Sequence, residues 1–137
     1  MKLGIGFGLF AALSSSAAFT ATPVSVAGGD WSNIPYVQQK GLLRVSTDVI
    51  EQIEQAAIGE CAIAGQSKRH VDLTIPFMIK FSPAGAVEQV VVRRVDCPTI
   101  EQAVGSAVLT MAKGGEYQPT GENREGWYRG DISFNSH

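Results

Sequence analysis

IKFSPAGAVEQVVV, residues 79–92, decides how this chain folds. Two apolar runs flank Ser82-Pro83-Ala84-Gly85. Serine at the first turn position, proline at the second and a glycine able to enter the left-handed region write a type I hairpin turn with a bulge. Upstream, Val71, Leu73, Ile75, Phe77, Ile79 and Phe81 fall on every second position, with Asp72, Thr74, Pro76, Met78 and Lys80 between them. That alternation predicts a strand with one buried face. Pro76 lies in the outward set and has no N–H, so an unpaired hydrogen-bond position or a bulge is expected there. The return strand, Ala86 to Val95, is less regular. Val87 and Val91 share one parity, Val90 and Val92 the other. Either both faces are partly covered or a bulge switches the parity.

Working outward, helical periodicity appears on both sides of the hairpin. Val49, Ile50, Ile53, Ala57 and Cys61 recur at helical spacing behind Ser46-Thr47-Asp48, with Glu51 in the first turn and Gly59 as the expected end. Asp96-Cys97-Pro98-Thr99 starts a second helix. Asp96 or Thr99 is the expected cap, Pro98 suits the first turn, and Thr99 pairs with Gln102 at capping-box spacing. Ile100, Ala103, Val104, Ala107, Val108 and Met111 follow, and Gly114-Gly115 closes the helix. Gly105 and the alanines give it a slim face for close approach to a sheet. After a loop, Trp127–Phe134 reads as a last strand with Tyr128, Ile132 and Phe134 inward.

The order is therefore α-β-β-α-β. A right-handed crossover puts the last strand on the free side of the first, giving an α+β fold. Its three-stranded sheet is fully antiparallel in the order two-one-three, with two helices packed on one face. The domain runs from 45 to 137. Residues 19–44, rich in small residues and without periodicity, read as a flexible leader.

The amino terminus, MKLGIGFGLFAALSSSAAFTA, carries one cation before an apolar run and then small residues. This is the order of a secretory signal peptide over residues 1–18, with Ser16-Ala17-Ala18 at the cleavage point. The rival reading, an uncleaved membrane anchor, needs a longer apolar span of about 20 residues. Export to an oxidising compartment gives the two cysteines, Cys61 and Cys97, a disulfide. No metal site is expected, since only His70 and His137 join the cysteines and no zinc spacing exists. A net charge of −2 gives no reason to expect nucleic acid.

These features resemble the carboxy-terminal domain of TonB and TolA, periplasmic proteins of the Gram-negative envelope. The matching residues are the turn FSPAGAV, the stretch CPTIEQAVGSAVLTMAKGGEYQP with Tyr117 and Pro119, and the strand WYRGDISF. The resemblance spans roughly residues 45 to 135, and the cysteine pair looks more like TolA. It implies a periplasmic, cell-envelope protein–protein interaction module in which the last strand receives an extended segment by main-chain hydrogen bonds. Carried over by position, the partner-binding edge is Trp127, Tyr128, Arg129, Asp131 and Ser133. Those proteins also have a membrane anchor and a long spacer that serve transport. This chain's short leader does not match them, so coupling to a motor is not expected.

Catalytic signatures are absent from the sequence, and neither an enzyme activity, a cofactor nor a small-molecule substrate is expected. Trp127 is either an anchor in a binding site or a residue packed over the first helix or the leader. Arg93, Arg94, Arg124 and Arg129 are either a patch for an acidic ligand or a solvated face. Two functional readings follow: a monomeric or weakly dimeric module binding an outer-membrane or envelope partner, and a stand-alone structural or inhibitory periplasmic protein. Both require export, so intact-mass measurement of protein from the periplasm should find a mature chain of about 119 residues. A mass that still includes Met1–Ala18 would refute cleavage.

Overall fold

The computed structural model describes residues 23–40, 45–67, 70–121 and 125–136. The signal peptide expected over residues 1–18 lies outside them. The elements are β1 (Val24–Ala27), β2 (Gln38–Gln39), α1 (Thr47–Gln55) with a π-helical turn (Ala56–Glu60), β3 (Val71–Phe81), β4 (Val87–Arg93), α2 (Pro98–Lys113), β5 (Tyr117–Gln118) and β6 (Gly126–Ser136).

β3 is the axis. It pairs antiparallel with β6 along its whole length, from Val71 opposite Ser136 to Phe81 opposite Gly126. On its other side it pairs antiparallel with β4, but only from Phe77 onward. Pro76 accounts for that limit. The backbone N–H and C=O of Arg129 bond away from β3. Strand alternation therefore makes Pro76–Asp131 a pair without hydrogen bonds. The nitrogen of Pro76 points instead toward β4, where it has no proton to donate, and the β3–β4 ladder starts one residue later.

Both explanations offered for the irregular return strand hold at once. A bulge takes Lys80 opposite Gln89 and then Phe81 opposite Val87, so Val87 joins the side of Val90 and Val92. Val91 keeps the outward parity and is nonetheless buried, because that face is covered too. In the turn, Gly85 has φ +86°, donates to the Ser82 carbonyl at 2.8 Å, and Ser82 Oγ accepts from Ala86 N–H at 3.2 Å.

The expected three-stranded, wholly antiparallel sheet is corrected. The sheet has four strands in the order β1-β4-β3-β6, and β1 runs parallel to β4, Val24 opposite Val90. A second, two-stranded antiparallel sheet joins β2 to β5. The reason lies in the stretch read as leader, which supplies both β1 and β2. Val24 and Val26 lie on the helix side of β1 beside α2. Val24 fills the notch left by Gly105, where a Cβ would collide with it and lie 3.3 Å from Val92 Cγ2.

Each helix differs locally from expectation. Ser46 caps α1, its Oγ accepting from Val49 N–H at 3.3 Å, ahead of Thr47 and Asp48. Gly59 does not end the helix. The last turn widens, with Cys61 N–H reaching the Ala56 carbonyl at 2.8 Å, and Ala62 then takes φ +46°. Cys97 occupies the cap position of α2 with Pro98 directly after it. Neither Asp96 nor Thr99 supplies the cap. The buried Glu101 carboxylate reaches back to accept from Val95 N–H at 2.7 Å and Asp96 N–H at 3.0 Å. Thr99 donates to Glu60 Oε2 at 2.6 Å across to the end of the π-helical turn.

The Cys61–Cys97 disulfide closes that same end, with Cα atoms 5.8 Å apart. Linking residues 36 apart in sequence contributes about 4 kcal/mol on a chain-entropy estimate. Its presence is compatible with an oxidising compartment. No helix among the described residues is long and apolar enough to cross a membrane.

The core lies between the sheet and the two helices, with Ile53, Phe77, Ile79, Val90, Val92, Ile100, Val104 and Val108 fully buried. Gly105→Ala should lower unfolding free energy by about 1–3 kcal/mol, the usual cost of overpacking. Amide exchange should quicken at Val90, whose N–H donates to the Pro23 carbonyl at 2.7 Å. Unchanged stability would mean that β1 adjusts without loss.

Candidate partner-binding edge

β6 is the outermost strand of the main sheet on its side, as the sequence order requires. Its pleat divides the five residues expected at the edge. Tyr128 faces the core, almost fully buried, edge-to-face with Phe81 at 5.8 Å, and its hydroxyl accepts from Gly121 N–H at 3.2 Å. Its ring is not available to a partner. Trp127, Arg129, Asp131 and Ser133 share the other face. Trp127 is half-buried opposite Lys80 and does not reach the first helix, which lies on the far side of the sheet. Ser133 Oγ shares a hydrogen bond with Thr74 Oγ1 at 3.0 Å.

Arg129 is the most heavily engaged of the five. Its backbone N–H donates to the Pro35 carbonyl at 2.8 Å, and its carbonyl accepts from Val37 N–H at 2.8 Å. Its Nε donates to the Ile34 carbonyl at 2.7 Å and its Nη2 to the Ser32 carbonyl at 3.4 Å. The guanidinium lies 4.1 Å from the Tyr36 ring centroid. The leader therefore adds itself to β6 as a short parallel pairing centred on Tyr36 and Arg129. Beyond that point the strand resumes an open edge. Among the described residues Asp131 and Ser133 have no second backbone partner. A cavity of about 220 Å³ lined by Val45, Ile50 and Ile132–Asn135 runs beside them.

Between its two edge contacts the leader crosses the face of the sheet away from the helices. Trp31 is buried there, with the Arg93 guanidinium 4.1 Å from its ring centroid. Asp30, Trp31, Pro76, Arg93, Arg129 and Asp131 line a cavity of about 250 Å³. Hydrogen bonds from Ser32, backbone first, hold the Asp30 carboxyl below its ordinary pKa, and the charges of Arg129 and Arg93 add to the effect. Of the basic residues considered together, Arg93 and Arg129 meet at this cavity, each against a leader aromatic. Arg94 is exposed elsewhere, and Arg124 lies outside the described residues.

Sequence reasoning passed over Trp31 and Tyr36, the two large aromatics of the leader. Their signal was present, since a stretch with no structure has no use for aromatics spaced among small residues.

The other side of the crossing segment is held by the loop after α2. Tyr36 carbonyl accepts from Thr120 Oγ1 at 3.2 Å, and Lys40 N–H donates to the Glu116 carbonyl at 2.8 Å. Tyr117 is packed 4.9 Å from Phe77, and its buried hydroxyl has no hydrogen-bond partner. The cluster of Glu60, Cys61 and Cys97 has the spacing of a metal site, but both sulfurs are committed to the disulfide.

Comparison with family models, with curated proteins and with solved structures finds no match for this chain.

Burial, and to a lesser degree the neighbouring Glu116 charge, pushes the Tyr117 hydroxyl up to about 12. The unfolded chain ionises near 10, so stability from this group is complete below that value and is lost as pH climbs toward 12. Tyr117→Phe should remove that alkaline loss, raising the melting temperature relative to the parent more at pH 11 than at pH 7. Equal shifts at the two values would show that the hydroxyl ionises freely in the fold.

Proposed function

We propose that this is an exported protein-binding module, resembling the TonB and TolA carboxy-terminal domain, that accepts an extended segment of an envelope protein along β6. The observation that carries the reading is the state of this edge. It already accepts a strand from its own leader at Arg129, while Asp131 and Ser133 present unpaired backbone groups further along. Main-chain addition of this kind supplies affinity, and side chains on alternate positions supply selectivity. The periplasm fits the disulfide and the expected signal peptide.

A second reading is favoured by the same leader contact. A self-contained structural or inhibitory protein would use its leader to close the edge permanently. Ser133→Pro separates the two. It deletes an outward N–H on β6 and leaves the β3 ladder untouched, because the Ser133 N–H faces away from β3. With a photo-crosslinker at exposed Asp131, intact cells should yield one discrete adduct, and Ser133→Pro should abolish it with little change in melting temperature. An adduct of undiminished yield, or no adduct in either protein, would sink strand acceptance.

A further inference from the structure

The geometry points to Ile34–Val37 as an internal stand-in for the partner. The incoming strand lies parallel to β6, displaces this segment from Arg129, and presents an aromatic residue followed by a β-branched one. This inference rests on the β6 reading proposed above and adds the register, direction and side-chain chemistry of the ligand.

The slot has two sides. β6 offers the Arg129 N–H, carbonyl and guanidinium. The opposite wall offers Thr120 Oγ1, β5 and the Glu116 carbonyl. Nearly every group the segment contributes is a main-chain atom, so most of its sequence is interchangeable. Two positions are not. Tyr36 lies over the Arg129 guanidinium. Val37 enters the notch over Gly130, where a Cβ would come within 3.1 Å of Val37 Cγ1 and 2.7 Å of Phe77 Cζ. One position selects an aromatic by cation–π attraction and the other a compact branched chain by shape. Pro35 contributes a carbonyl alone, so proline is tolerated before the aromatic.

The same contacts mark the segment as exchangeable. Its pairing to β6 is one bridge, against four paired residues in β1. Pro35, Tyr36, Gln38 and Gln39 are exposed, and Tyr36, at 55% exposure, is the large apolar side chain most open to solvent among the described residues. A tethered competitor lowers a partner's apparent affinity by the fraction of molecules in which the slot is open.

The test is fluorescence anisotropy of a labelled peptide with the sequence of residues 31–40 against the full chain. Val37→Pro removes the N–H that pairs with the Arg129 carbonyl, and Tyr36→Ala removes the exposed ring without touching the core. Each variant should bind the peptide at least tenfold more tightly than the parent, and a peptide with serine in place of the tyrosine should lose most of that gain. Equal affinity for parent and variants would overturn the proposal and make the segment a fixed part of the sheet. If the gain appears while the Ser133→Pro adduct is undiminished, the slot exists and the envelope-partner reading alone fails.

Discussion

The ladder between β3 and β6 is the constraint on which the rest depends. Eleven paired residues fix the register, and because side chains alternate, a slip of one would expose the whole apolar row of β3. With that row committed to the helices, Arg93 of β4 and Trp127, Arg129 and Asp131 of β6 are forced to the opposite face. Pro76 then sets how far β4 can follow, and leaves Arg93 at the end of its strand, next to the place where the leader crosses.

That crossing uses guanidinium groups in two ways. At Arg93 the cation lies on Trp31, and its buried Nε has no hydrogen-bond partner. At Arg129 the cation lies on Tyr36 while its nitrogens donate to two leader carbonyls. The first contact is mainly packing and desolvation; the second is directional. A planar, delocalised cation suits both, which a lysine ammonium would not. The leader is thus held by hydrogen bonds at Arg129 and by packing of the buried Trp31 ring at Arg93.

Much of this was legible because it is periodic. The hairpin turn, the alternation of β3 and the apolar stripe of α2 each repeat over enough residues to exclude other readings, and Cys61 and Cys97 fall at facing ends of the helices. β1 was not legible. Four residues, Val-Ser-Val-Ala, are too few to carry a pattern, and what makes them a strand is Gly105, distant in sequence, with space for Val24. The capping of α2 was hidden for a similar reason. Glu101 looks like a surface residue of a helix until the chain bends at Asp96, φ +58°, and brings two N–H groups onto its carboxylate. At the edge, the sequence placed the right strand outermost and Tyr128 on its inward face, but counted that buried ring among the partner-binding residues and missed that Arg129 already had a partner.

The leader touches the sheet at both flanks, through β1 against β4 and through Pro35–Val37 against β6. One short length of chain thus covers the free side of β4 and part of the free side of β6. Trp31 lies buried between the two contacts and packs the crossing onto the sheet beneath Arg93. On the proposed reading, covering β6 and receiving a ligand there are competing uses of the same segment of chain.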